Sequence, residues 1–319
     1  MKKKVKISLV TDKFVEAFDV YKLKYSNYII EFDFNINDYK RNINITISSD
    51  REYKDIFKLF LLIDELLFIN YGYFFKIECY MEDDKKIDIS QYFNLDYIHS
   101  SVSLITTGSV TLFPDVINNN TIKEYKKIKK VFHNGLNALF YLKSYKYDGI
   151  LIDHRFCMLS QICEGYVESG RLENIIKSKK NGYIGFKDRL TYYVDKLDFY
   201  NRKYNLCIYK TLSIKKKTLL NQIETSRHAL SHYVQIKDKK GNNKSKLNNY
   251  NFLFTYLILE YMLRIILLEE LGVTINDSQL KEGLYILHDY IYSILNKEKL
   301  YVSNYKSNLY KLLNIGLEE

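Results

Sequence analysis

The stretch LLNQIETSRHALSHYVQIKDKKG, Leu219 to Gly241, decides how the rest of the chain is read. Its apolar residues recur at helical spacing, and a lysine-rich loop follows. Glu224, Arg227, His228 and His232 fall within nine residues of a chain that holds only six histidines. On a helix Glu224, His228 and His232 are spaced i, i+4, i+8 and share one face, while Arg227 lies about 140° round from His232. Arginine is long enough for its guanidinium to reach back toward that face.

Three chemistries fit such a set. Glu224 and Arg227 at i, i+3 make an ordinary surface ion pair, with two histidines favoured near a helix C-terminus. Alternatively, two histidines one turn apart and a carboxylate one turn earlier supply three metal ligands. The metal reading lacks the HExxH order, and no second cluster of Cys, His or Asp completes a shell. The third chemistry is that of a family which this stretch resembles.

Composition favours a polyanionic partner. The 319 residues are 47% hydrophobic, ample for a core, and 48 Lys+Arg against 38 Asp+Glu leave a net charge of +10. The abundance of Lys, Asn, Ile and Tyr also fits an AT-rich coding bias on a solvated surface. Cys79, Cys157, Cys163 and Cys207 show neither zinc-ligand spacing nor a disulfide framework, so a reducing cytoplasm is expected. MKKKVKISLVTDKF has too short an apolar run for a signal segment. The most apolar segment, Phe252 to Leu268, is broken by Glu260 and Arg264 at i, i+4, which points to a buried helix with an internal ion pair and not a membrane span.

The pattern changes character near residue 120. Before it, KVKISLV, YIIEFDFNI, INITISS and FFKIECYMED read as strands, with one helix, YKDIFKLFLLIDELLFINYG, ending at a glycine. Tyr92 to Asn120, which contains the only proline, Pro114, has no clear pattern. From Thr121 the period is helical: IKEYKKIKKVFHNGLNALFYL, DHRFCMLSQICEGYVES with Asp153 as N-cap, GFKDRLTYYVDKLDFYNRKY, the opening stretch, NNYNFLFTYLILEYMLRIILLEELG and NDSQLKEGLYILHDYIYSIL. The expected fold is α+β, a β-rich domain over residues 1–120 followed by an all-α bundle over 121–319. KEYKKIKK is expected on the outer face of its helix, and Asp153, His154 and Arg155 as a cap with exposed side chains.

RHALSH, Arg227 to His232, is the R-x4-H signature of the HEPN superfamily of helical ribonucleases. Upstream, LFYLKSYKYDGILIDHRFCMLSQICEGYVESGRL and GFKDRLTYYVDKL resemble the ApeA-like branch, where a Glu-bearing helix, here around Gln161 and Glu164, and an F..RL..L helix precede the motif. The resemblance covers roughly residues 121 to 290. It departs from the family at His228, where Asn is usual. It implies a HEPN bundle acting as a metal-independent endoribonuclease, the alternative being a non-catalytic HEPN module that binds nucleic acid or protein; Arg227 and His232 are then catalytic and Glu164 supporting, and His228 and Glu224, from their place on the same helix, join them as candidate catalytic and supporting residues. It further implies a homodimer in which two motifs meet, and a prokaryotic anti-phage defence role, cleaving host RNA, tRNA among the candidates, after the N-terminal domain senses a phage-derived trigger. No cofactor, metal or membrane is expected.

The chemistry needs little more. RNA carries its own nucleophile, the 2′-OH, so cleavage requires a base, an acid and a cation for the phosphorane charge. Imidazole, ordinarily titrating near about 6.5, suits the proton transfers, and guanidinium the phosphate. Lys215, Lys216 and Lys217 before the motif helix, and Lys237, Lys239, Lys240, Lys244 and Lys246 after it, are candidate RNA-backbone contacts; the bland alternative is a solvated, mobile lysine loop.

Overall fold

The computed structural model describes residues 2–11, 20–37, 40–89, 92, 109–142, 151–171, 185–232, 234–244, 246–247 and 249–315. Residues 93–108, most of the stretch without a clear pattern, lie outside them.

The alternating segments form one antiparallel sheet. Strands β1 (Lys3–Thr11), β2 (Tyr21–Tyr25), β3 (Tyr28–Asn37), β4 (Lys40–Ser49), β5 (Lys76–Glu82) and β6 (Lys85–Lys86) lie in the order β2-β3-β4-β1-β5-β6. Register sets Ile7 opposite Ile45 and Ile30 opposite Ile47, so the apolar residues of alternate positions share one buried face. Helix α1 (Tyr53–Tyr71) covers that face, and its sequence is apolar enough that thirteen of its residues are buried. It stops where expected, at Gly72, whose backbone is left-handed (φ 77°) and whose N–H donates to the Phe68 carbonyl. A side chain at Gly72 would also collide with the Arg264 guanidinium.

The helical part begins with α2 (Phe113–Val116), carrying Pro114 in its first turn, and α3 (Asn119–Leu142). Asn118 starts α3, its Oδ1 accepting from the backbone N–H groups of Asn120 and Thr121 at 3.0 Å each. Helix α3 loses helical geometry at Phe132 (φ −126°, ψ 28°), whose ring folds over Gly135 where any side chain would clash. Lys123, Lys126, Lys127 and Lys130 are exposed, as the amphipathic reading expects. Then follow α4 (Ile152–Tyr166), which runs into a π-helical turn (Val167–Arg171), α5 (Phe186–Lys203), α6 (Ile208–Thr211), α7 (Lys216–His232), α8 (Asn249–Glu270) and α9 (Asp277–Ile315).

Two local expectations are corrected. Asp153 is not the N-cap of α4: the cap is Leu151, and Asp153 sits in the first turn, accepting from the His154 N–H at 2.8 Å. Arg155 is buried, because at that position it faces the bundle and not the solvent.

Helix α8 is the axis of the molecule. Apolar on every side, it is long and apolar enough to cross a membrane by length and composition, yet 89% of that window is buried inside the protein. Its Glu260 and Arg264 are both buried, with 3.8 Å between Oε1 and Nη1. Arg264 reaches the end of α1, where Nε donates to the Ile69 carbonyl at 2.8 Å and Nη2 to that of Asn70. One continuous apolar core runs from Val5 to Ile291, through sheet and bundle alike.

Candidate functional site

Helix α7 is held by its buried stripe, Leu219, Leu220, Ile223 and Ala229, against α4 and α5. At its start Lys216 is tied to Asp195 and Asp198 of α5, at 2.7 and 3.3 Å. That engagement sets Lys216 apart from Lys215 and Lys217, which are exposed. Midway, the buried hydroxyl of Ser226 accepts from the Leu247 N–H at 2.9 Å and so anchors the chain returning from the lysine loop.

The loop itself is built as a turn. Asp238 N–H donates to the Asn242 carbonyl at 2.7 Å, and its carboxylate accepts from the N–H groups of Lys240 and Asn242 at 2.8 and 2.9 Å. Gly241 takes the left-handed conformation (φ 82°) that the reversal needs. Lys237, Lys239 and Lys240 are exposed on this turn, and the Lys244 N–H donates to the Ile236 carbonyl at 2.8 Å.

Arg227 is half-buried and fixed from two directions. Its Nη2 donates to Glu164 Oε2 at 2.9 Å, from helix α4, and its guanidinium lies 4.7 Å from the centre of the Phe186 ring at the start of α5. Glu164 is itself gripped by Arg189, whose Nη1 donates to Oε1 at 2.8 Å and also meets Glu168 at 2.6 Å. One carboxylate thus bridges two guanidiniums, each using a different oxygen, an arrangement of charge-assisted hydrogen bonds that leaves Arg227 little freedom. The Nε of Arg227 is buried and has no hydrogen-bond partner among the described residues.

The alternative of a surface ion pair between Glu224 and Arg227 is not the one formed, since Arg227 turns toward α4; Glu224 faces Lys187 at 3.8 Å instead. His228 and His232 are exposed, with ring centres 4.6 Å apart. Among the described residues no three His, Cys, Asp or Glu side chains come together in a form that could hold a metal ion, so Glu224, His228 and His232 share a face without making such a set.

A cavity of about 270 Å³ is bounded by Phe186, Glu224, Arg227, His228, Ile236 and Lys244. It brings together Glu224, Arg227, His228 and Lys244 of the expected set. His232 lies one turn beyond it on the open surface, and Gln161 is exposed and lines a different cavity. Cys163, next to Glu164, is no nucleophile: burial pushes its thiol well up. The residues that sequence reading left without a role are Phe186 and Arg189. Their i, i+3 spacing in FKDRL puts both on the face of α5 that meets Glu164 and Arg227, and that spacing is the signal that finds them.

Residues 131–277 match the family model described as Apea-like HEPN. No curated protein and no solved structure matches the chain. The match runs from the middle of α3 to the first residue of α9 and takes in Glu164, Phe186, Arg189, Arg227, His228 and His232. The resemblance carried by RHALSH and the two helices before it is thereby met over residues 131–277, where the family model finds an Apea-like HEPN domain.

Proposed function

We propose that this domain is a metal-independent endoribonuclease in which Arg227 holds the scissile phosphate while histidines move the protons. A HEPN domain points to a nuclease or RNA-related role in general. The single observation that carries the sharper reading is the fixing of Arg227 by Glu164 and Phe186, directly beside an exposed histidine pair. A guanidinium held this way has its planar fork oriented in advance, which is how electrostatic stabilisation of a phosphorane is supplied without reorganisation.

In the proposed reaction a base removes the 2′-OH proton, O2′ attacks phosphorus, the bond to O5′ breaks, and an acid returns a proton to O5′. The products are a 2′,3′-cyclic phosphate and a 5′-OH end. His228, which shares the cavity with Arg227, is assigned to the phosphate, and His232 to proton transfer. Lys215, Lys217, Lys237, Lys239 and Lys240, all exposed, are assigned to RNA phosphates; Lys216, paired with Asp195, is assigned to holding α7 in position. Cleavage is expected to persist in EDTA, to leave cyclic phosphate ends, and to fail with deoxyribose at the scissile position. Loss of activity in EDTA, restored by zinc or magnesium, would overturn the metal-independent mechanism.

A second chain completes the site in this reading. In-line displacement needs its base and its acid on opposite sides of phosphorus, yet the His228 and His232 rings stand side by side on one helix. A two-fold partner would bring the opposing histidine. Mixing and re-pairing Arg227→Ala and His232→Ala proteins, each inactive alone, should recover about a quarter of wild-type activity if each site takes Arg227 from one chain and His232 from the other and acts independently, whereas a cleft that needs the histidines of both chains at once shows no recovery, so the result is read beside the oligomeric state. A protein that is monomeric by light scattering and still cleaves RNA excludes the composite site.

The wider reading, drawn from the domain's resemblance, is a cytoplasmic effector that answers a phage-derived trigger sensed by residues 1–120 and stops growth by cutting host RNA. Sequencing RNA ends from cells expressing wild type or His232→Ala tests it, for only the wild type should generate new ends.

A further inference from the structure

Far from the motif helix, a second cavity of about 480 Å³ opens where the sheet meets α1 and α3. Its wall holds Tyr25 at the end of β2, Tyr28 at the start of β3, Arg51 just before α1, Asp55 and Lys58 on α1, and Lys126 on α3. Three cations and one carboxylate therefore line the same cavity. Lys58 pairs with Asp55 at 3.1 Å. Among the described residues Arg51 and Lys126 have no carboxylate partner; Lys126 donates to the Tyr25 hydroxyl at 3.0 Å and sits 5.0 Å from that ring's centre.

Lysines on a solvated helix face diverge into water, and their mutual repulsion is screened. Here two unpaired cations instead face a shared concavity whose floor, Leu59 and Leu62, is apolar. Such a concavity concentrates positive potential and draws an anion. Partial burial first, and then the Asp55 carboxylate, hold the Tyr28 phenol above its ordinary range, so it remains a hydroxyl donor at neutral pH. The size is that of a nucleotide-class ligand, and the mixture of ring surface, hydroxyl donors and cations is what orients one.

We infer that this cavity binds a small molecule bearing phosphate, with the phosphate between Arg51 and Lys126 and the remainder of the molecule against Tyr25 and Tyr28. The inference is independent of the ribonuclease reading, since no residue of the motif helix takes part. A ligand there would tie the β2–β3 hairpin, the start of α1 and helix α3 to one another.

Isothermal titration of the full chain with pyrophosphate, and separately with ADP, tests it. At least one probe should bind saturably below about 1 mM. Arg51→Glu and Lys126→Glu should each weaken that binding about tenfold or more, because a charge-assisted contact is replaced by repulsion. Lys85→Glu, the same charge change on the exposed β6 at the far sheet edge, should leave it unaltered. The milder Arg51→Gln and Lys126→Gln, checked for wild-type circular dichroism, should weaken binding in the same direction. Absence of saturable binding by both probes, binding unmoved by the Arg51 and Lys126 changes, or an equal loss in Lys85→Glu would each overturn the site.

Discussion

His232→Ala should abolish RNA cleavage while leaving the melting curve where the wild type has it. Removing a general acid or base typically costs about 10²–10⁴ in rate, and on the proposed dimer both copies of the site lose the group together. The fold should not notice. His232 is exposed at the last turn of α7 with its ring beside that of His228, so the change removes no buried side chain. The most it forfeits is a favourable interaction with the helix C-terminus, on the order of 0.3–1 kcal/mol when the ring is charged. The comparison needs both readouts on the same preparation. A variant that melts with the wild type and cuts RNA at the wild-type rate removes His232 from the chemistry.

The largest effect on stability is expected at Arg264, where nothing catalytic is at stake. Arg264→Leu should lower the unfolding free energy by about 3–5 kcal/mol, the usual consequence of taking one partner from a buried ion pair. The Glu260 carboxylate is then buried without its cation, and the carbonyls of Ile69 and Asn70 lose the donors that reach them from α8. Urea denaturation measures the loss. Because the penalty comes chiefly from the stranded carboxylate, Glu260→Leu combined with Arg264→Leu should be less destabilising than Arg264→Leu alone. If the double variant is as unstable as the single, the carboxylate is not the source of the loss and the carbonyl contacts are.

Much of the architecture was legible because periodicity reports burial. Alternation marked β1, β3, β4 and β5, and the glycine at 72 marked the end of α1 for the reason the structure gives, a left-handed backbone. Strand β2, Tyr21–Tyr25, went unread: it is short, lies at the sheet edge and alternates tyrosine and leucine with lysine, so its apolar face is thin. Arg155 and Asp153 were misjudged because charge alone says nothing about which side of a helix meets the core. At the site, the helix face carrying His228 and His232 could be read from spacing alone. The partnership of Arg227 with Glu164 could not, since 63 residues separate them and the local candidate, Glu224, was closer along the chain. Resemblance to a family supplied Glu164 and the F..RL..L helix; the structure added that Arg189 of that helix grips Glu164 and Phe186 lies against Arg227.

The break at Phe132 divides α3 between two employers. Ahead of it, Tyr125 and Lys129 bond Glu65 on α1, and Lys126 bonds Tyr25 at the sheet; behind it, the helix lies against α4, whose Glu164 steadies the motif arginine. The family match begins at residue 131, one residue before the break. Phe132 closes the junction by laying its ring over Gly135 and edge-on to Tyr166, at 5.0 Å, so the two halves are clasped by an aromatic latch where a straight helix would have used its own backbone. The break thus lets one helix serve two partners at once, and the bare backbone of Gly135 is the space that the Phe132 ring fills to make it.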